Sequence, residues 1–169
     1  MNTIIENEED LNYFMPQLIS SYKEMFSESP FNNPNITDKY AKTFFKDTFK
    51  NGLVFISTSF SREKLSGFST VIKSEFFKDF KKLDLEENSI YLSTIFISKG
   101  IRSRDLGKEL FAFVLNQSQK DIERNVFYAR TRNDTPDILS LLDKKGFKNI
   151  LKYPVIINEE ELELIVHKL

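Results

Sequence analysis

The sequence contains no cysteine, no tryptophan and only one histidine, His167, among its 169 residues. Without cysteine the chain can form neither a disulfide nor a thiolate nucleophile, and a cytoplasmic location is expected. A single histidine excludes metal sites that need several histidine ligands, so no metal is predicted. The sequence has no apolar run long enough to cross a bilayer, and its acidic first ten residues lack the layout of a secretion signal. A membrane is therefore not an expected partner.

Core-forming residues are plentiful, and the net charge is close to zero. Hydrophobic residues make up 40% of the sequence, and 17 of its residues are phenylalanine. A chain of this length can bury one good core, so we predict a single domain over residues 1–169, as a monomer or a homodimer. The formal net charge of -1 offers no general attraction to nucleic acid, which is not predicted as a partner either.

Hydrophobic periodicity predicts a mixture of helices and strands. The predicted elements are, in order, a strand at 3–6, helices at 10–26 and 38–50, strands at 53–60, 65–72 and 90–97, a helix from 106, a strand at 125–131, a helix at 136–145, and strands at 147–157 and 162–168. Pro16 falls inside the first helical pattern and indicates a kink or a later helix start. Thr37 is a candidate N-cap of the second helix, and Gly146 is a candidate C-cap of the last.

The stretch from Ser89 to Gln117 determines the functional interpretation. It starts with an apolar strand at 90–97 and ends in a helix whose apolar residues share one face: Leu106, Leu110, Phe113 and Val114. The turn and the helix start between them are basic, with Lys99, Arg102, Arg104 and Lys108. A strand that runs through such a turn into a helix directs backbone N–H groups, a helix dipole and cations towards one point. The pattern predicts a phosphate site; a solvated basic surface is the alternative.

Two common phosphate loops do not fit this turn. The Walker loop needs Ser or Thr after Gly-Lys, but Gly107 and Lys108 are followed by Glu109, and no Gly-x-Gly-x-x-Gly triplet occurs. The run from Arg102 to Gly107, RSRDLG, instead resembles the Gln/Arg-x-x-Gly-x-Gly/Ala pyrophosphate loop of the GNAT acetyltransferase family. Asp105 stands where that family has its first glycine. Aspartate tolerates left-handed backbone and caps helices, so the turn remains feasible.

A second resemblance to the same family lies in residues 132–147, RNDTPDILSLLDKKGF. Asn133 follows a strand, and the helix after it ends in a segment similar to the family's Leu-Tyr-x-x-x-Gly-Phe. The order of the predicted elements also resembles the GNAT fold. The resemblance implies an α+β domain layered α/β/α, in which helices flank a mixed, mostly antiparallel central sheet.

The resemblance further implies acetyl-CoA as co-substrate and a set of residues that contact it. The pyrophosphate would be held by Arg102, Ser103, Arg104, Asp105, Leu106, Gly107 and Lys108. Backbone groups of Ile95, Phe96 and Ile97 would pair with the pantetheine arm and polarise the acetyl carbonyl. Asn133 would be the next contact; a helix N-cap or turn residue is the alternative for this position.

The acid and base of the reaction are harder to assign. Leu142 stands where the family has its common general acid, a tyrosine, and leucine cannot donate a proton. Tyr128 and Tyr91 are candidate donors because they lie on the two strands that flank the expected cleft, although a tyrosine on a strand is more often a core residue. Carboxylates before the fourth strand are candidate bases or, more simply, solvated charges: Glu75, Glu86 and Glu87.

Other aromatic and charged residues have simpler explanations beside functional ones. Arg130 and Arg132 could bind an acidic acceptor or a CoA phosphate, but salt bridges with nearby carboxylates are favoured. Phe76, Phe77 and Phe80 fit a face that covers the core, with a lid over the substrate as the alternative. By the same resemblance, the first two helices border the acceptor pocket, whose ligand the fold does not identify.

We therefore predict an N-acetyltransferase that moves an acetyl group from acetyl-CoA to a primary amine of a small molecule or protein, by direct attack in a ternary complex. A catalytically weak GNAT-like module that binds acyl-CoA or acts in regulation is the alternative, supported by Leu142 and Asp105. An unrelated α+β binding protein with a basic surface turn is a third possibility.

Overall fold

The computed structural model describes residues 1–28, 31–59, 64–101, 104–121, 126–157 and 160–169. Within these ranges the chain forms one seven-stranded sheet and four α-helices. The strands are β1 (Asn2–Ile4), β2 (Gly52–Thr58), β3 (Leu65–Lys73), β4 (Ile90–Ile97), β5 (Phe127–Arg132), β6 (Lys148–Ile157) and β7 (Glu160–Lys168). The helices are α1 (Glu8–Ser27), α2 (Asp38–Asn51), α3 (Arg104–Asp121) and α4 (Pro136–Lys144). The predicted order of elements is confirmed.

Side-chain caps explain where the first helix begins. The Asn7 side chain accepts a hydrogen bond from the Asp10 amide at 2.9 Å, which satisfies one of the free N–H groups of the first turn. Three acidic residues in that turn complement the positive end of the helix dipole. The helix runs from Glu8 through Pro16, so a start after the proline is wrong.

The predicted caps of α2 and α4 are confirmed. Thr37 accepts a hydrogen bond from the Tyr40 amide at 3.2 Å at the start of α2. After α4, Gly146 has a φ of 87°, a left-handed conformation that glycine adopts without steric cost. Its amide donates to the Asp143 carbonyl at 2.9 Å, which ends the helix in the way that a glycine after the last turn usually does.

The sheet has the order β1-β2-β3-β4-β5-β7-β6, and only the β4–β5 pair is parallel among its strand pairs. Helices α1 and α2 cover one face and α3 and α4 the other. Two clusters of buried side chains fill these layers. The first cluster joins α1 and α2 to the sheet and includes Leu18, Phe45, Ile56, Phe68 and Phe96. The second cluster joins α3 and α4 to it and includes Phe55, Ile90, Leu110, Phe111 and Leu142.

A third cluster lies beneath residues 74–89, the segment between β3 and β4. The segment starts with a 3₁₀ turn, Ser74–Phe76, and continues in turns. Its buried side chains pack on those of β4, β5 and β7, and the cluster comprises Leu83, Leu85, Tyr91, Tyr128 and Val166. The Phe77 ring stacks on the Tyr91 ring at a centroid distance of 3.7 Å. Among the helices in the described ranges, none is long and apolar enough to cross a membrane.

Candidate active site

A β-bulge interrupts β4 at Ser93. Leu92 pairs with Val71 and Thr94 pairs with Thr70, so Ser93 is an extra residue on β4 that opposes no single partner on β3. Such a bulge bends its strand and locally increases the twist.

The extra residue also reverses which side chains face which helices, because side chains alternate strictly along a regular strand. Before the bulge, Ile90 and Leu92 pack in the second cluster, against α3 and α4. After it, Ile95 and Ile97 pack in that cluster, and Phe96 packs in the first cluster, against α1 and α2. Without the bulge, Phe96 would face α3.

Side-chain hydrogen bonds from β3 anchor the strand at this point. The hydroxyl groups of Thr70 and Thr94 lie 2.6 Å apart, and the Ser69 hydroxyl donates to the Thr94 carbonyl at 2.7 Å. Both bonds are partly buried, where hydrogen bonds are little weakened by competition with water. The bulge is therefore held on its β3 side.

Strands β4 and β5 part at the bulge. Their parallel pairing covers three residue pairs and ends at Leu92 and Ala129. From there β4 stays paired with β3, and β5 with β7. A cleft of about 60 Å³ lies between the parting strands, and we call it the β4–β5 cleft; it is lined by Leu92, Ser93, Thr94, Ile95, Phe111, Ala129, Arg130, Thr131, Ile138, Leu141 and Leu142.

A second cavity, of about 250 Å³, lies between α2 and the sheet, and we call it the α2 cavity. It is lined by Tyr40, Thr43, Phe44, Asp47, Thr48, Asn51, Ile72, Phe76 and Ser93. Ser93 belongs to the walls of both cavities. The bulge thus forms the boundary between an opening in the sheet and a cavity under α2.

The chain leaves the open end of β4 through the basic turn. Lys99–Ile101 forms a 3₁₀ turn, and α3 begins at Arg104. The Lys99 amide donates to a Glu24 side-chain oxygen on α1 at 2.9 Å. Arg102 and Ser103, and the side chain of Arg104, lie outside the described residues.

Residues in the first turn of α3 leave room in front of the helix. The Asp105 side chain is 83% exposed and its Oδ1 lies 3.3 Å from Lys108 Nζ, so its negative charge is partly balanced by a cation. A Cβ atom placed on Gly107 would meet nothing within 4 Å. The described part of the turn therefore presents an amide-rich helix start with open space beside Gly107.

Comparison with solved structures identifies this architecture, whereas no family model and no curated protein matches the sequence. A ribosomal-protein-alanine N-acetyltransferase from Brucella melitensis has a TM-score of 0.78 and 12% identity, covering 100% of this chain and 98% of that one. The YncA protein from Salmonella typhimurium, solved with its cofactor acetyl-CoA, has a TM-score of 0.76 and 13% identity, covering 100% and 93%.

A spermidine N-acetyltransferase from Vibrio cholerae, in complex with CoA and spermine, has a TM-score of 0.71 and 14% identity, covering 100% of this chain and 94% of that one. The chain has the GNAT acetyltransferase fold. The similarity extends over the whole chain and both layers of helices. At these identities the similarity establishes the fold.

Within the GNAT fold, the β4 residues predicted to contact the co-substrate lie after Ser93, in the half of the strand that has parted from β5. Ile95 is half-buried and lines the β4–β5 cleft, while the Phe96 and Ile97 side chains are buried on opposite faces of the sheet. The prediction concerned backbone groups, and these three residues follow the point where β4 and β5 part.

Asn133 is a turn residue at the end of β5. Its amide donates to the Glu163 carbonyl at 3.0 Å, and its side-chain oxygen accepts from the Glu163 amide at 3.3 Å. Thr135, not Asn133, occupies the N-cap position of α4. These contacts are those of a turn residue, which was the alternative to a CoA contact at this position. A role of Asn133 in binding CoA stays a prediction.

The salt bridges favoured for the β5 arginines are confirmed. Arg132 is buried, and its guanidinium donates to both carboxylate oxygens of Asp134, at 2.9 and 2.6 Å. Arg130 Nη1 donates to Asp79 at 2.8 Å and to the Tyr153 hydroxyl at 3.0 Å. The pair with Asp79 fastens residues 74–89 to the sheet.

The two candidate tyrosines lie in the third cluster, where β4 and β5 are still paired. Tyr91 is 4% exposed, and burial raises its pKa to about 12. The Tyr128 ring is also buried, with the Glu86–Lys168 ion pair nearby. Their cross-strand pairing places both before the parting of the strands, and their side chains belong to the third cluster rather than to the walls of either cavity. Their roles as donors stay predictions.

The candidate bases are exposed. A hydrogen bond from Lys168 lowers the pKa of Glu86, which makes it a weaker base. Glu87 is a surface residue of the same segment. Glu75 immediately precedes Phe76, which lines the α2 cavity, and its role stays a prediction.

Leu142, already identified from the sequence as the leucine at the tyrosine position, is 1% exposed and fills the cleft wall. Three other features of the site carry no clear mark in the sequence. Ser93 forms the bulge, Asp47 places a carboxylate in the α2 cavity, and Thr131 and His167 form a buried pair whose Oγ1 and Nε2 atoms lie 2.7 Å apart. Burial lowers the pKa of His167.

Proposed function

We propose that this chain is an acetyl-CoA-dependent N-acetyltransferase that transfers the acetyl group directly to a primary amine. The observation that supports this most strongly is the parting of β4 and β5 after Leu92 and Ala129, at a bulge whose Ser93 borders two cavities. Two substrates can then approach one point from opposite sides of the sheet. Neighbours of the same fold were solved with acetyl-CoA or CoA.

In this proposal the basic turn and the start of α3 bind the diphosphate of CoA. Free amides of the first helical turn and the helix dipole favour an anion there. The open space beside Gly107 lets a phosphate approach the backbone closely. Lys108 adds a positive charge, and the exposed Asp105 carboxylate can remain paired with it. Arg102, Ser103, Arg104 and Leu106 complete the proposed set.

The pantetheine arm and thioester are proposed to lie in the β4–β5 cleft. There the arm takes the place of β5, whose pairing with β4 ends at Leu92, and contacts backbone groups of Ile95, Phe96 and Ile97. Asn133 is the next proposed contact. The acceptor enters from the α2 cavity. Its neutral nitrogen attacks the acetyl carbonyl carbon, a C–N bond forms, and the C–S bond breaks. Orientation of the two reactants can supply much of the rate enhancement.

The amine must lose one proton, and the departing CoA sulfur must gain one. Leu142 cannot donate the proton that the sulfur needs, although its side chain lies in the cleft wall. We propose transfer through water or through a side chain that approaches the cleft, with Tyr128, Tyr91 and Glu75 retained as candidates. Proton transfer of this kind typically contributes about 10²–10⁴ in rate, so its loss would slow the reaction without abolishing it.

Calorimetric titration with acetyl-CoA tests the proposal, using two substitutions of Gly107. Gly107→Ala should preserve binding, because a single methyl group meets no other atom and leaves most of the open space to the phosphate, and it should raise the free energy of unfolding by about 0.5–1 kcal/mol. Gly107→Val should fold but weaken binding by about tenfold or more, because its branched side chain occupies the space needed by the phosphate. Absence of acetyl-CoA binding by the unmodified protein would overturn the proposal.

The catalytically weak acyl-CoA-binding module is the second candidate, and buried Leu142 is the observation that favours it. The two candidates differ in turnover. Release of free CoA thiol with a panel of primary amines should proceed for a transferase. Tight acetyl-CoA binding without thiol release for any amine would favour the module.

A further inference from the structure

The α2 cavity has an unusual combination of wall residues. Three aromatic rings line it, from Tyr40, Phe44 and Phe76. Asp47 carries the only charge among the nine residues that line it, and the other polar members are uncharged hydroxyl or amide side chains: Thr43, Thr48, Asn51 and Ser93. A carboxylate together with aromatic faces is the combination that recognises an ammonium group.

The charged group and two of the rings lie at the solvent side of the cavity. Tyr40 is 58% exposed, Phe76 is 54% exposed, and Asp47 is also exposed. In the part of the chain that the structure describes, no lysine or arginine forms an ion pair with the Asp47 carboxylate. The exposed rings of Tyr40 and Phe76 can present their π faces to a cation at the mouth. The mouth of the α2 cavity therefore favours a positive charge.

The inner end of the cavity has the opposite character. Thr48 is buried and Ser93 is half-buried, and neither side chain carries a charge. Ser93 is also the residue shared with the β4–β5 cleft, where the thioester is proposed to lie. A nitrogen at this end must be neutral to attack, and the low-dielectric, uncharged surroundings disfavour its protonated form.

The volume limits the distance between the two ends. About 250 Å³ is below the range of roughly 300–1,000 Å³ that holds drug-sized ligands. The wall between mouth and inner end includes Phe44 and Ile72, both half-buried, which suit a short apolar chain. A small molecule with one polar group at each end fits these constraints.

We infer that the acceptor is a small diamine: a primary amine on a short apolar chain whose second, positively charged amino group binds at the mouth to Asp47 and the rings of Tyr40 and Phe76. This inference rests on the proposed acetyl transfer and adds the substrate class. The inner amine is neutral when it attacks; its nitrogen gains the acetyl group, its proton goes to the CoA sulfur, and the outer amino group keeps its charge throughout.

The test uses a matched pair of acceptors, 1,5-diaminopentane and 1-aminopentane, which differ only in the second amino group. Thiol release with acetyl-CoA should give a kcat/KM for the diamine about tenfold or more above that for the monoamine, in keeping with a charge-assisted contact. Asp47→Asn should remove most of this preference by raising KM for the diamine, with kcat and the monoamine little changed. Phe76→Leu, which keeps apolar volume but removes the π face, should reduce the preference by about threefold.

Asp143→Asn is the matched control, because Asp143 is an exposed aspartate on α4 outside both cavity walls. This substitution should leave kcat/KM unchanged for both the diamine and the monoamine. Equal use of the two amines would overturn the inference, and so would a loss of kcat for both amines in Asp47→Asn, which would make Asp47 a base instead of a binding group.

Calorimetry on the same samples separates this inference from the proposed function. If acetyl-CoA does not bind, the proposed function fails and the inference falls with it. If acetyl-CoA binds and the diamine is not acetylated, the assignment of the acceptor is overturned, while the site for acetyl-CoA stands.

Discussion

The two halves of β4 have different tasks although they belong to one strand. Before Ser93 the strand is paired on both sides, and Tyr91 packs in a closed cluster. After Ser93 it pairs only with β3 among the described strands, and cavities lie on its other side and beneath α2. The closed half stabilises the fold, and the open half presents the candidate active site. A single inserted residue separates them.

Replacement of Tyr91 by alanine should give the largest change in stability. Tyr91 is buried and stacked on Phe77, so Tyr91→Ala should lower the free energy of unfolding by about 3–5 kcal/mol. Ile95→Ala, in the half-buried cleft wall, should lower it by only about 1–2 kcal/mol. Urea denaturation measures both values.

Tyr91→Phe is the control for this comparison, because it retains the stacked ring and removes the hydroxyl group. Thiol release should stay within about twofold of the unmodified protein if Tyr91 is structural. A loss of about 10²-fold or more, with an unchanged fold, would make Tyr91 the proton donor and would contradict the division of β4 into two halves.

Leu142→Tyr tests how much room the open half has. Leu142 is almost fully buried in the cleft wall, so a tyrosine ring should overpack it and lower the free energy of unfolding by about 1–3 kcal/mol. Leu142→Met, of similar volume, should cost less than about 1.5 kcal/mol. Thermal and urea unfolding check the pair. A Leu142→Tyr protein as stable as the original would show that the cleft can accept the family's tyrosine.

The smallest expected effect is a pH dependence from the buried pair of Thr131 and His167. Burial holds the pKa of His167 below its ordinary value of 6.5, so the unfolded chain takes up a proton before the folded protein does. The contribution to stability is therefore complete above pH 6.5 and is lost as the pH falls below it. The slope can reach about 1.4 kcal/mol per pH unit.

Urea denaturation between pH 5 and 7.5 measures this slope, and His167→Gln is the matched variant. Because His167 is the only histidine in the sequence, the variant should reduce the slope in the upper part of this range even if its absolute stability is lower. An unchanged slope would show that His167 titrates normally and that its surroundings are open to water.

Local patterns were enough to predict most of the fold. The caps at Thr37 and Gly146 depend on residues within one helical turn, and the strands β2 and β3, which pair with each other, are adjacent in the sequence, so nearby sequence carries their signals. The position of the basic turn between β4 and α3 follows from the same short-range periodicity.

The site depended on contacts that no local pattern records. The bulge at Ser93 arises from the register of β4 against β3, two strands separated by the whole of residues 74–89. The position of Tyr91 on β4 made it a candidate proton donor. Its surroundings, however, are determined by Phe77, which lies in residues 74–89 and stacks on the Tyr91 ring. In the sequence Asp47 resembles any other charged residue on a helix. Only the packing of α2 on the sheet places it in the same cavity wall as Phe76.

The hydrogen bond from the Lys99 amide to Glu24 joins the turn after β4 to the helix on the opposite side of the sheet. It fixes the entrance to α3 against α1 before any ligand arrives, so less conformational freedom remains to be lost on binding. This contact therefore links the proposed acetyl-CoA site at the start of α3 to the layer of helices that covers the α2 cavity.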